Sequence, residues 1–284
     1  MSEKTAELLS RLKTHVATLT TEDRWKQYLA VQATFHSYSF RNTLLIMLQR
    51  PDATRVAGFH TWKEVNRSVK KGEKGIGILA PMLVKAKNSD DDSEKSLRFR
   101  TVYVFDVTQT EGEDLPASPA RILDGSTDQV AAIDTVWSKL MTFAQSIDVP
   151  VELSDDGLMP GANGAYLRGT RRIIIRPTNP ALQRAKTLAH ELGHALLHHD
   201  ANDSHERPIM EVEAESVAYV VLQHFGLDTS DYSFGYVALW SQETDLAKVL
   251  TSSGTRIASA AKRIIDASEA EEAVIDETPS LAAA

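Results

Sequence analysis

His190-Glu191-Leu192-Gly193-His194, followed by Glu211-Val-Glu213-Ala-Glu215, is the stretch on which the reading of this chain turns. On a helix, residues i and i+4 share a face. Two imidazoles stacked that way can grip one tetrahedral zinc ion, each at roughly 2.0–2.1 Å. Glu191 sits one residue round the turn from His190, where it can reach a water on the metal without ligating the metal itself. Two ligands, a general base and an open coordination position make a metal-dependent hydrolase site. Leu188, Ala189, Leu192, Leu196 and Leu197 make the helix apolar on much of its circumference, so the histidines should be partly buried and in need of partners.

A third ligand has to come from elsewhere. Asp200 stands ten residues past His190, but the run from Ala195 to His199 reads as continuing helix and would carry it away. Residues Pro208 to Phe225 read as a second helix stopped by Gly226. Its spacing puts Glu211 and Glu215 on one face, and the small Ala214 and Ala218 allow close approach to the histidine helix. Glu213 points elsewhere and is expected in solvent. Periodicity alone does not choose among these carboxylates. His198 and His199 are expected to cap the helix end, where cationic character is favoured.

The pattern resembles the gluzincins, in which His-Glu-x-x-His is followed by a helix carrying Glu-x-x-Ala-Asp/Glu/Asn. That resemblance favours Glu211 as third ligand and leaves Glu215 to accept the second N–H of a ligating imidazole. Zinc is the expected cofactor, with another divalent metal such as Mn2+ as the alternative. Tyr219, Tyr232, Tyr236 and His205 are the candidates for stabilising an oxyanion.

Working outward, 284 residues with 42% hydrophobic and 25% charged side chains fit two globular domains. There is no cysteine, so neither disulfides nor thiolate ligands are available. No apolar run approaches the ~20 residues needed to span a bilayer, and Met1 to Thr21 lacks a signal core; a cytoplasmic location is expected. The net charge of −8 is unevenly spread. Residues 1–120 hold 18 basic and 15 acidic side chains (+3), and residues 121–284 hold 13 and 24 (−11). Between residues 41 and 74 the balance is 8 basic to 3 acidic, which points to a polyanionic partner.

Helices are expected over 5–19, 21–35 and 40–49, with a short one over 61–68. Strands follow at 75–84 and 97–107, joined by a polar stretch from Lys85 to Lys95 that reads as a solvated hairpin tip. The second half predicts a helix near 127–146, strands at 149–153, 165–168 and 172–176, the two metal-site helices, and a closing helix over 243–266. The fold class is therefore α+β: an N-terminal mixed helix/hairpin DNA-binding domain (1–115), a linker (116–125), a C-terminal gluzincin-like metallopeptidase domain (126–266), and an Ala/Glu-rich tail (267–284) expected to be disordered.

Aromatic residues interleave with basic ones in the first half, as single-stranded nucleic acid requires: bases stack on rings while Lys and Arg follow the phosphates. The candidates are Tyr38, Arg41, Trp62, Lys63, Arg67, Lys70, Lys71 and Lys74. Phe40, Phe59 and Trp62 are each more commonly core residues than stacking platforms.

The stretches Tyr38-Ser-Phe-Arg-Asn-Thr-Leu-Leu-Ile, Val56-Ala-Gly-Phe, Val69-Lys-Lys-Gly-Glu-Lys-Gly-Ile and Val104-Phe-Asp-Val-Thr-Gln-Thr-Glu-Gly resemble the N-terminal domain of ArdC-type antirestriction proteins. The His-Glu-Leu-Gly-His half is similar to that family's zincin-like domain. The resemblance implies a single-stranded-DNA-binding domain joined to a metallopeptidase-like domain, carried on a mobile element such as a plasmid and protecting incoming DNA from restriction. A protein substrate or a restriction enzyme is the further partner it leaves open. Two rivals stand beside it: a DNA-coating protein whose metal site is structural, and a regulatory peptidase that cleaves a transcriptional repressor.

Overall fold

The computed structural model describes residues 3–85, 95–115, 127–199, 207–227, 229, 232, 234 and 245–276. The linker expected at 116–125, the hairpin tip over 86–94, Asp200, His205 and Tyr236 lie outside them.

The chain opens with three helices, α1 (Glu3–Val16), α2 (Glu22–Thr34) and α3 (Phe40–Gln49). Thr21 and Ser39 cap α2 and α3, each accepting a backbone N–H through its hydroxyl. A three-stranded antiparallel sheet follows, in the order β1 (Val56–Gly58), β4 (Lys95–Asp106), β3 (Ile76–Lys85). Helix α4 (Phe59–Glu64) leads into β2 (Arg67–Val69), which pairs with β5 (Thr110–Gly112). The expected helix over 61–68 is thus shorter and ends in a strand. Residues 110–112, beyond the strand expected over 97–107, close that second small sheet. Both edges are too short for periodicity to declare.

The second half contains α5 (Thr127–Ser146) and a sheet in the order β6 (Val151–Leu153), β8 (Arg172–Ile175), β7 (Gly164–Leu167). Strands β6 and β8 are parallel, β7 and β8 antiparallel. Then come α6 (Ala181–Leu197) and α7 (Arg207–His224), and α8 (Leu246–Asp276) closes the fold. Helix α8 runs well past residue 266, so the tail expected to be disordered from 267 begins as helix. Ala and Glu are strong helix formers even where large apolar residues are lacking. Ser268 is buried, and its carbonyl accepts from Lys139 at 3.1 Å.

The mixed α+β class holds. The two sequence halves share one apolar core, with Leu8, Trp25, Leu44, Leu140, Leu188, Val220 and Ile264 in a single cluster. Trp25 from α2, fully buried, donates its indole N–H to Ser216 Oγ of α7 at 2.9 Å. Gly254 of α8 lies against the Phe40 ring so closely that a Cβ there would clash. A second, smaller cluster (Phe35, Ile46, Ile76, Ile78, Val104) seats the sheet of the first half. Among the described residues no helix is long and apolar enough to cross a membrane.

Candidate metal centre and nucleic-acid face

Helices α6 and α7 cross where both are small. A Cβ on Gly193 would meet Ala214 Cα at 2.9 Å, so the backbones touch and the side chains on either side converge. His190 Nε2 and His194 Nε2 lie 3.1 Å apart, and Glu211 Oε2 lies 3.4 and 3.6 Å from them. Ligands at about 2.0–2.1 Å from a tetrahedral centre stand roughly 3.3–3.4 Å from one another. The three donors therefore fit a divalent metal ion in type, number and separation, and they are the described residues that group in this way. Glu215, one turn along α7, accepts from His190 Nδ1 at 2.7 Å.

The electrostatics agree. Burial opposes a charge on His190, but hydrogen bonds to Glu211 and Glu215 and the nearby charges of Glu191 and Glu215 outweigh it and push its pKa up to about 10. Hydrogen bonds from His190 and His194 hold Glu211 far below the usual carboxylate range, against the effect of burial. Three carboxylates facing two imidazoles leave negative charge that a cation would balance.

Glu191 is buried beside the pair, and its Oε2 accepts the backbone N–H of Tyr166 in β7 at 2.7 Å. Burial raises its pKa; the charges of His190 and His194 and the Tyr166 bond oppose that rise. Gly164 makes the approach possible, because a Cβ there would meet Thr187 Cγ2 of α6 at 2.4 Å. A cleft of about 530 Å³ opens over the site. Its walls include Gly164, Ala165 and Tyr166 from β7, Arg168, Lys186 and Arg207. Of the oxyanion candidates, Tyr232 lines this cleft, whereas Tyr219 is buried against Tyr232 and Phe234. Lys186 and Arg168 escaped the sequence reading. Lys186 stands four residues before His190, a spacing that could have placed it.

Two expectations are corrected. Glu213 is not solvated: it is wholly buried, within 2.8 Å of His198 Nε2 and 3.2 Å of Arg256. His198 ends α6 but does not cap it as a cation. Its ring is equally buried, and burial lowers its pKa despite the Glu213 bond. The α6–α7 crossing turns this face inward, which the period of α7 alone could not reveal.

The DNA-binding candidates scatter. Trp62 is core, its indole N–H given to Phe105 O at 2.9 Å. Phe40 is core as well. Tyr38 is half-buried with its hydroxyl on Val56 O, and Arg67 is tied to Thr110 and Glu113 across β2 and β5. Arg41 lies apart, in a groove between α1, α3 and α8 with Lys13 and Lys248. Lys63, Lys70, Lys71 and Lys74 are exposed, Lys70 with its ammonium on Thr108 O. Phe59 is exposed rather than core. With Phe105 and the exposed Tyr103 it forms an aromatic strip at one end of the first sheet, with Lys63 over Phe59 at 4.9 Å and Lys4 over Tyr103 at 5.9 Å. Gly75, beside Lys74, packs on Tyr103 and Phe105.

Residues 1–107 match the family described as the N-terminal domain of anti-restriction factor ArdC, and residues 144–237 match the IrrE N-terminal-like domain. Each match covers less than half of the chain, and the two matched segments do not overlap. An uncharacterized protein of Bacillus anthracis is 27% identical over 85% of this chain and 47% of its own length, so this chain spans about half of that relative. Among solved structures, the metal-free antirestriction ArdC protein from the R388 plasmid aligns with TM-score 0.48 and 16% identity, over 81% of this chain and 85% of that one. The Mn(II)-bound form of the same protein aligns with TM-score 0.46 and 17% identity, over 85% and 97%.

Proposed function

We propose that this ArdC-like protein binds single-stranded DNA through its first half, hydrolyses a peptide bond at a zinc site in its second, and protects incoming DNA from restriction. The observation that carries the hydrolase part is the donor triangle of His190, His194 and Glu211 with Glu191 alongside.

His190, His194 and Glu211 would hold the metal, and Glu215 would keep His190 in the tautomer that leaves Nε2 free. A zinc ion bound there supplies positive charge that acidifies water and polarises a carbonyl. Glu191, buried and with a raised pKa, takes the water's proton and later passes it to the leaving amine. The Tyr166 N–H fixes one carboxylate oxygen and so aims the other. Strand β7 is the edge of its sheet, and an extended peptide can lie along it by adding a strand. Alternate residues of such an edge turn their main-chain groups outward. Tyr166 has already given its outward N–H to Glu191, which leaves Gly164 as the donor for substrate. Tyr232 and Lys186, which line the cleft, would steady the developing oxyanion.

For DNA, Phe59 and Tyr103 would stack bases while Lys4, Lys63, Lys71 and Lys74 meet phosphates. Arg41, Trp62, Tyr38 and Arg67 drop out as direct contacts, since each is engaged or set elsewhere.

The test is elemental analysis of the purified chain against His194→Ala. About one zinc per chain, lost in the variant, supports the site; an equal metal content in both sinks it. A second reading, DNA coating without hydrolysis, rests on the aromatic strip sharing no residue with the cleft. Glu191→Gln decides between them: antirestriction lost with metal and DNA binding kept favours hydrolysis, and unchanged protection favours coating.

A further inference from the structure

Behind the ligand His194 runs a chain of buried polar contacts that the hydrolytic chemistry does not use. His194 Nδ1 lies 3.0 Å from His198 Nδ1. His198 Nε2 lies 2.8 Å from Glu213 Oε2. Arg256 of α8 reaches the same oxygen at 3.2 Å and donates to the Leu197 carbonyl at 2.8 Å. We propose that His198, Glu213 and Arg256 are positioning residues that hold His194 in its metal-binding tautomer. The inference rests on the metal-site reading above.

The proton count leaves one arrangement. His194 Nε2 belongs to the donor triangle, so it must be bare to bind a cation, and the ring proton sits on Nδ1. That N–H then donates to His198 Nδ1, which must be an acceptor. A neutral imidazole with a bare Nδ1 carries its proton on Nε2. His198 Nε2–H therefore donates to Glu213, whose carboxylate can only accept. Every contact has one donor and one acceptor, and reversing any single bond breaks the series. A carboxylate sealed from water needs a counter-charge, and Arg256 supplies it. The two ligands are thus supported differently. His190 leans on the carboxylate of Glu215 directly; His194 reaches Glu213 through a second imidazole. Arg256 lies outside both matched segments, 1–107 and 144–237, so the closing helix is part of the metal site.

The competing explanation is that the cluster fills space in the core and leaves the metal indifferent. Asparagine and glutamine separate the two, since they differ little in polarity but place the carbonyl oxygen differently. In His198→Asn the Oδ1 falls where Nδ1 stood and can still accept from His194. In His198→Gln the polar end falls where Nε2 stood, and His194 loses its acceptor. The measurement is Zn2+ affinity of the full chain by competition with a chromophoric chelator, with the melting temperature of each metal-free chain taken alongside.

Supporting contacts of this kind are worth about 10–100-fold in metal affinity. His198→Gln and His198→Phe should lose that much, His198→Asn should recover most of it, and Glu213→Gln and Arg256→Met should fall between. The inference is overturned if the Asn and Gln variants bind zinc equally, or if affinity merely follows the metal-free melting temperature. Wild-type protein that takes up no zinc would remove the metal-site reading and this inference together. Tight binding in wild type with unaltered variants removes this inference alone.

Discussion

The cleft and the basic face are built on opposite principles. In the cleft each of three candidate side chains is held by a neighbouring group: His190 by Glu215, His194 by His198, Glu191 by the Tyr166 backbone N–H. On the basic face Lys71 and Lys74 stand exposed and Phe59 and Tyr103 are open to solvent. The first arrangement fixes atoms to fractions of an ångström, as bond-making requires. The second is a surface of charge and ring faces, which would suit the flexible, sequence-variable strand proposed for it. Substitutions should therefore act sharply in one region and gradually in the other.

The largest effect is expected in the cleft. Glu191→Gln keeps shape and burial but removes the proton acceptor, so peptide hydrolysis should fall roughly 100- to 10,000-fold. Metal content and DNA affinity should stay unchanged. A variant that cleaves normally would assign the proton transfer to another group and end the proposed role of Glu191. Next in size is the joint between the regions. Trp25→Ala deletes a fully buried indole and orphans the Ser216 hydroxyl, at a cost of about 3–5 kcal/mol. Because both halves draw on one core, thermal unfolding should stay a single transition at a lower temperature. Two separated transitions would mean that the halves are independent after all.

How far the sequence foretold these regions follows from the physics of each. The helical register of α6 fixes where His190, Glu191 and His194 point, so the pocket was readable from five residues. Choosing Glu211 needed a resemblance, since a helix period treats Glu211 and Glu215 alike. Glu213 was misread because its environment is made by α6 and α8, far off in sequence. The basic face was less legible still. Side-chain type says that Trp62 and Phe59 are both aromatic; only the tertiary position of α4 buries one and exposes the other. The three-residue strands β1, β2 and β5 exist because of their partners, so local pattern could not announce them.

Smaller effects test the face. Phe59→Ala removes a stacking surface and should weaken single-stranded DNA binding by about 1–3 kcal/mol, with hydrolysis untouched. Lys74→Ala should lower the salt dependence by about 0.7 in log–log slope if it meets one phosphate. A slope identical to wild type would take Lys74 out of the interface. Loss of affinity in Trp62→Phe comparable to that in Phe59→Ala would move the stacking platform back to where the sequence first put it.

The finest contrast pairs two buried carboxylates, Glu213 and Asp106. Asp106 sits at the end of β4 and accepts the backbone N–H groups of Thr54, Arg55 and Thr108 and the Thr108 hydroxyl. Burial raises its pKa, but these four bonds outweigh burial and leave it below the ordinary value. Its folded pKa being the lower one, its contribution to stability is present above the unfolded value of about 3.9 and is lost as pH falls through the folded value. Asp106→Asn should then cost about 1 kcal/mol at neutral pH and flatten the fall in melting temperature below about pH 4. It should leave zinc affinity alone. Glu213→Gln should instead weaken zinc binding through His198 and His194. If both substitutions altered metal affinity equally, the wiring of Glu213 to His194 would carry no special weight. If neither did, the cleft would be held together by packing alone.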